Sequence, residues 1–118
     1  MGSLYLHEDE WVAWLPSAPG PQAGHGGGEL VIWRSKNQGK SWTRSRQVTQ
    51  GSLRNHNYAR RPIDARDPFF VFWADGDPTK FGESHLYFSA SSGESVWRLP
   101  YQMDTEYAEP ELVPFQRQ

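Results

Sequence analysis

The densest run of chemically capable side chains is Asn55-His56-Asn57-Tyr58-Ala59-Arg60-Arg61-Pro62. An imidazole exchanges protons near neutrality, with an unperturbed pKa of about 6.5, so His56 suits a general base or a metal ligand. Tyr58 can give or take a proton where a cation activates its phenol. Arg60 or Arg61 can hold a carboxylate in a bidentate fork. A His, a Tyr and an Arg together suit β-elimination from a uronic acid: the arginine neutralises the carboxylate, a base removes the C5 proton, and an acid protonates the leaving oxygen. The expected catalytic set is therefore His56, Tyr58 and Arg60, with Asn57, Arg61 and His25 as substrate-binding candidates. A plainer reading stands beside it. Arg60 and Arg61 can instead pair with Asp64, Asp67 or Glu83, and alternation along a strand limits which of these side chains share a face.

The other candidates carry bland explanations. His25 lies in Gly24-His25-Gly26-Gly27-Gly28, a loop that can close over a ligand but lacks the Lys and Ser/Thr of a phosphate loop. Asp75-Gly76-Asp77-Pro78 spaces carboxylates as calcium loops do, yet Asp-Gly and Asp-Pro are natural turn residues. His85 opens an extended stretch and reads as structural, and His7-Glu8-Asp9-Glu10 reads as a solvated acidic turn. No metal ligand set is expected. Exposed aromatic side chains can stack on sugar rings, although most Trp and Tyr residues belong to strand interiors.

The elements that must position these groups are strands. Ser35-Lys36-Asn37-Gln38-Gly39-Lys40-Ser41-Trp42 lies between two extended runs and reads as a hairpin locked by its own side chains. Asn37 is expected to accept from the backbone two residues on, Gly39 to supply positive φ, Ser35 to bond the same turn, and Trp42 to bury its ring beneath it. The second half repeats the first: Gly28-Glu29 recurs as Gly82-Glu83, Ile32-Trp33 as Leu86-Tyr87, and Ser35 as Ser89, at an offset of 54. Ser91 and Gly93 stand where Asn37 and Gly39 stood, while Trp97 falls one place late. Val12-Ala13-Trp14-Leu15 answers Val71-Phe72-Trp73-Ala74. Each unit parses as four strands: residues 4–6, 11–15, 29–34 and 42–48, then 60–63, 69–74, 84–89 and 95–100. The fold class is all-β, with units at 3–50 and 60–101, a linker at 51–59 and an irregular tail at 102–118. With alternating strands, loops 16–28, 50–58 and 75–82 share one face and the Ser35–Trp42 hairpin takes the other.

Composition narrows the function classes. A net charge of -2 gives nothing to recommend nucleic acid, and no run approaches the ~20 apolar residues of a membrane span. Six Trp residues are too many for a disordered chain, and the absence of Cys excludes disulfides and thiolate metal sites. Met1-Gly2-Ser3 leads into strand-like sequence without a basic n-region or apolar h-region.

The pattern Ser35-x-Asn37-x-Gly39-x-x-Trp42 resembles the Asp box of BNR-repeat β-propellers, with Asn in the usual Asp position. Ser89 and Gly93 belong to a degenerate second copy. The resemblance implies two four-stranded antiparallel propeller blades. The order of Glu29-Leu30, Trp33-Arg34-Ser35, the His56 to Pro62 run, Phe72-Trp73-Ala74-Asp75-Gly76, Ser84-His85-Leu86-Tyr87-Phe88 and Arg98-Leu99-Pro100-Tyr101 is similar to the C-terminal part of a BNR-repeat group. That group includes the propeller polysaccharide lyases that cleave ulvan and, more distantly, sialidases. The resemblance implies His and Tyr proton transfer, Arg or His neutralising a uronate, a structural zinc, a polysaccharide partner and export. Only His56, Tyr58 and Arg60 match, by residue type, and no sialidase arginine triad with Tyr–Glu and Asp is assembled. Two blades leave sheet faces uncovered, because propellers close with about 4–8. Such a pair is expected to be a C-terminal piece of a larger propeller, with self-association or collapse into a sandwich as alternatives. Its expected function is that of a carbohydrate-active protein related to polysaccharide lyases, with a non-catalytic glycan- or protein-binding module or an inactive remnant as alternatives.

Overall fold

The computed structural model describes residues 2–23 and 26–114, so the candidate His25 lies outside the described residues. Two antiparallel sheets account for all the described strands. The first holds β1 (Ser3–Leu6), β2 (Trp11–Ala18), β3 (Glu29–Ser35) and β4 (Thr43–Gln47). The second holds β5 (Asn55–Arg60), β6 (Val71–Gly76), β7 (Leu86–Ser89), β8 (Val96–Arg98) and β9 (Glu111–Val113). Both are meanders, each strand pairing with its sequence neighbour.

The all-β expectation holds, with two corrections. Within the expected irregular tail, Glu111–Val113 form a fifth strand of the second sheet, Val96 pairing with Val113 and Arg98 with Glu111. A three-residue edge strand between Pro110 and Pro114 is too short to show alternation, and an edge tolerates flanking prolines. The first strand of the second sheet begins at Asn55, within the expected linker, and not at 60. Its opening residues, Asn55 and His56, are polar yet fully buried, so no apolar alternation marks them.

The sheets pack face to face. Tyr5, Val12, Trp14, Leu30, Ile32 and Val48 meet Ala59, Val71, Trp73, Tyr87 and Val96 in one core. Trp14 and Trp73 lie 6.3 Å apart, and Tyr5 stacks on Phe70 at 4.3 Å. Burying each such side chain contributes roughly 1.5–3 kcal/mol.

Pairing registers fix how the two units correspond. In the first sheet Trp11 pairs Ser35 and Ala13 pairs Trp33; in the second Val71 pairs Ser89 and Trp73 pairs Tyr87. Since Ser89 answers Ser35, Val71 answers Trp11 and Trp73 answers Ala13. The sequence match of Val12-Ala13-Trp14-Leu15 to Val71-Phe72-Trp73-Ala74 is therefore slipped by one residue. A slip of one turns every side chain to the opposite face. Trp14 and Trp73 are not equivalent; they approach from opposite sheets into the shared core. The consequence extends to the whole interface. Ile32 is fully buried in the core, whereas its counterpart Leu86 is 43% exposed on the outer face of the second sheet. Conversely Tyr87 is in the core and its counterpart Trp33 lies on the outer face of the first sheet. The sheets thus stack head to tail, one sheet's forward face on the next sheet's rear.

The two turns follow the same logic. Ser35 Oγ accepts from Gly39 N–H at 2.8 Å, Asn37 Oδ1 accepts from Ser41 N–H at 2.9 Å, and Gly39 has φ 85. Asn37 thus reaches four residues on and not two. Trp42 remains 37% exposed, contrary to expectation, while Val96 at the equivalent place is 2% exposed. Val96 faces a neighbouring sheet; the rear of the first sheet has none. In the second turn Gly93 N–H bonds Ala90 C=O, and Ser89 Oγ donates to Ser95 C=O. Gly93 has φ 70, and a Cβ there would come within 2.7 Å of Ile32 Cδ1.

Candidate functional site

The loops expected to share a face do meet. Asn55 N–H donates to Gln22, Asn55 Nδ2 donates to the Gln22 and Gly26 carbonyls, and Arg54 pairs with Glu83 at 3.0 Å. Two clefts open there.

His56 illustrates why the expected catalytic set does not assemble. In an unbroken strand His56, Tyr58 and Arg60 share a face. Between Asn57 and Arg60 the β5–β6 register shifts, and Tyr58 takes φ 61. This bulge re-aims the strand. Ala59 occupies the core position, while Tyr58 and Arg60 are exposed. Tyr58 and Asn57 line a cleft of about 240 Å³ with Asn55, Asp77, Pro78 and Ser84. Arg61 places its guanidinium 5.2 Å over the Tyr5 ring, a cation–π contact away from both clefts. Two of the expected carboxylate partners of Arg60 and Arg61 are engaged elsewhere: Asp67 accepts from Ser91 N–H and Oγ, and Glu83 pairs with Arg54.

His56 itself is packed edge-on to Tyr87 at 4.9 Å. Its Nδ1 accepts from Trp73 Nε1–H at 3.0 Å, which places the ring proton on Nε2. Nε2–H then donates to Ser52 Oγ at 2.9 Å, and Ser52 Oγ–H donates to Glu29 Oε1 at 2.7 Å. Glu29 also accepts from Thr49 Oγ1 and Ser52 N–H. Burial pushes the imidazole pKa down to about 4, against the opposing pull of Glu29 and Asp75. His56 is a neutral link in a buried relay that ties the inter-sheet segment to the core.

The larger cleft, about 410 Å³, is lined by Ser52, Arg54, His56, Asp75, Tyr87 and Arg98 among others. Asp75 is its anchor. Oδ1 accepts from His85 N–H at 2.7 Å and Oδ2 from the Tyr87 hydroxyl at 2.6 Å, with Arg54 3.9 Å away. Burial first, and then the Asp75 bond and charge, hold the Tyr87 phenol well above its usual range, so it stays protonated. Arg98 donates through Nε to Glu111 at 2.8 Å, which raises its already high pKa. The arrangement offers guanidinium donors and a carboxylate acceptor.

Arg54, Asp75, Tyr87 and Arg98 escaped the sequence reading, and Asp75 was assigned to a turn. A signal existed for Asp75: Val71, Trp73 and Asp75 alternate along β6, so a carboxylate continues a fully buried face. The implied structural zinc does not fit. Among the described residues no group of three His, Asp or Glu side chains is disposed to hold a metal. His85 Nδ1, buried without a hydrogen-bond partner, lies 3.7 Å from an Asp75 oxygen already engaged by a backbone donor.

No family model, no curated protein and no solved structure matches the chain.

Proposed function

We propose that the chain is a pair of successive blades of a BNR-type β-propeller from a carbohydrate-active protein, and that it binds an acidic, uronate-bearing glycan in the larger cleft. The head-to-tail stacking of two meander sheets supports the propeller reading, because successive blades share one polarity. The binding reading rests above all on Arg54 and Arg98 lining one cleft beside Asp75. Guanidinium forks take a carboxylate bidentately, and a buried carboxylate accepts from sugar hydroxyls. Binding is favoured over lyase chemistry by the state of His56, whose ring nitrogens face Trp73 and Ser52 and whose burial keeps it neutral.

Calorimetric titration with uronate oligosaccharides tests this, while ultraviolet absorbance follows any unsaturated product. The expected result is saturable binding, at least tenfold weaker in Arg54→Ala and Arg98→Ala, with no product. Absence of binding, or binding indifferent to both arginines, would overturn it. Product formation abolished by His56→Gln would restore the lyase reading.

A further inference from the structure

Each sheet is apolar on both faces, and among the described residues only one face of each is covered by the other sheet. On the second sheet Phe69, Phe72, Phe88 and Trp97 form a continuous aromatic ladder, with neighbouring ring centroids 5.2–6.3 Å apart. Leu86 and Leu112 flank it, at 43% and 61% exposed. These positions lie opposite the core-facing Val71, Trp73 and Tyr87. On the first sheet Leu4, Leu6 and Leu15 are exposed around the outward Trp33, on the face opposite Tyr5, Val12 and Trp14. Sheets with both faces apolar are sheets covered on both sides.

The internal interface identifies the cover. The outer face of the second sheet is the counterpart of the first sheet's core face, Leu86 answering Ile32. The outer face of the first sheet is the counterpart of the second sheet's core face, Trp33 answering Tyr87. What the first sheet does to the second inside the chain, the second sheet can do to the first sheet of another copy. We propose that the chain binds a second copy of itself head to tail, the outer face of its second sheet on the outer face of the partner's first sheet. Such a heterologous contact propagates until rotation closes a ring. Four to eight sheets close a propeller, so about two to four copies are expected. The inference rests on the stacking polarity, takes the further blades of the propeller from other copies of this chain, and is independent of glycan binding.

The test is sedimentation velocity of the full chain and of two variants carrying charges at exposed positions. Leu4→Glu/Leu6→Glu blocks the first face and Leu86→Glu/Leu112→Glu blocks the second, with circular dichroism reporting retention of the sheets. Lysine at the same positions supplies an independent set where a glutamate variant fails to fold. The unaltered chain is expected to form a discrete oligomer and each variant alone to be monomeric. Mixing the variants joins one intact face of each and gives a 1:1 heterodimer. A monomeric unaltered chain, a variant that still self-associates, or a mixture without heterodimer would overturn the proposal.

Discussion

The hairpin turns after β3 and β7 share Ser and Gly at matching positions yet meet different demands. The first turn carries its own lock: Ser35 Oγ, Asn37 Oδ1 and the Trp42 indole, which donates to Gly39 C=O. The second has Ser91 in place of Asn37 and borrows its carboxylate from Asp67, 24 residues away in sequence. The first turn lies over Trp11 on an outer face, whereas Gly93 of the second presses on Ile32 and Val48 of the other sheet. A turn that seats against a neighbour can afford to lose its internal lock; one that faces outward keeps it.

The sharpest way to break this comparison is to truncate one aromatic in each environment. Trp73→Ala empties the shared core and removes the Nε1–H that His56 accepts, and should cost ~3–5 kcal/mol in urea unfolding. Trp42→Ala, on the outer face, should cost about 1 kcal/mol under the same conditions. Equal losses would contradict the assigned faces.

The pH dependence probes the same core. His56 has a folded pKa of about 4 against an ordinary value of 6.5, so the unfolded chain binds the extra proton first. Its contribution is complete above pH 6.5 and is lost as pH falls from there towards 4, on the order of 3 kcal/mol in all. His56→Gln should flatten the stability profile across that window, read from urea midpoints at successive pH values.

A smaller effect separates the glycines. Both Gly39 and Gly93 occupy positive φ, so alanine strains either. At Gly39 the added methyl comes within 2.9 Å of the half-buried Trp11 ring on the outer face, whereas at Gly93 it comes within 2.7 Å of the buried Ile32. Gly93→Ala should therefore be about 1 kcal/mol more destabilising than Gly39→Ala in thermal unfolding. The smallest effect tests the borrowed lock. Asp67→Ala should cost ~1 kcal/mol, and adding Ser91→Ala to it should cost little more, as a double-mutant cycle would show.

Most strands were legible because continuous apolar runs stand between turn signals; β2, β3 and β7 needed nothing else. The remainder was hidden for physical reasons. β5 opens with Asn55 and His56, whose burial is sustained by Gln22, Gly28 and Trp73, partners no local pattern reveals. The bulge at Tyr58 leaves no glycine to announce its positive φ. The catalytic reading of His56, Tyr58 and Arg60 took residues 51–59 for a linker; in β5 the bulge between Asn57 and Arg60 leaves Tyr58 and Arg60 exposed while His56 stays buried. The slipped match of Trp14 to Trp73 arose because identical residues outweighed register, which only the pairing of Ala13 with Trp33 and Trp73 with Tyr87 corrects.

Head-to-tail packing of the two sheets is the claim on which the rest depends, and nuclear Overhauser contacts between methyl and ring protons test it most directly. The account predicts cross-peaks between the Trp14 and Trp73 indoles and between the Gly93 α-protons and the Ile32 δ-methyl. Cross-peaks between the methyls of Ile32 and Leu86 would instead mean that equivalent faces meet, and would contradict it.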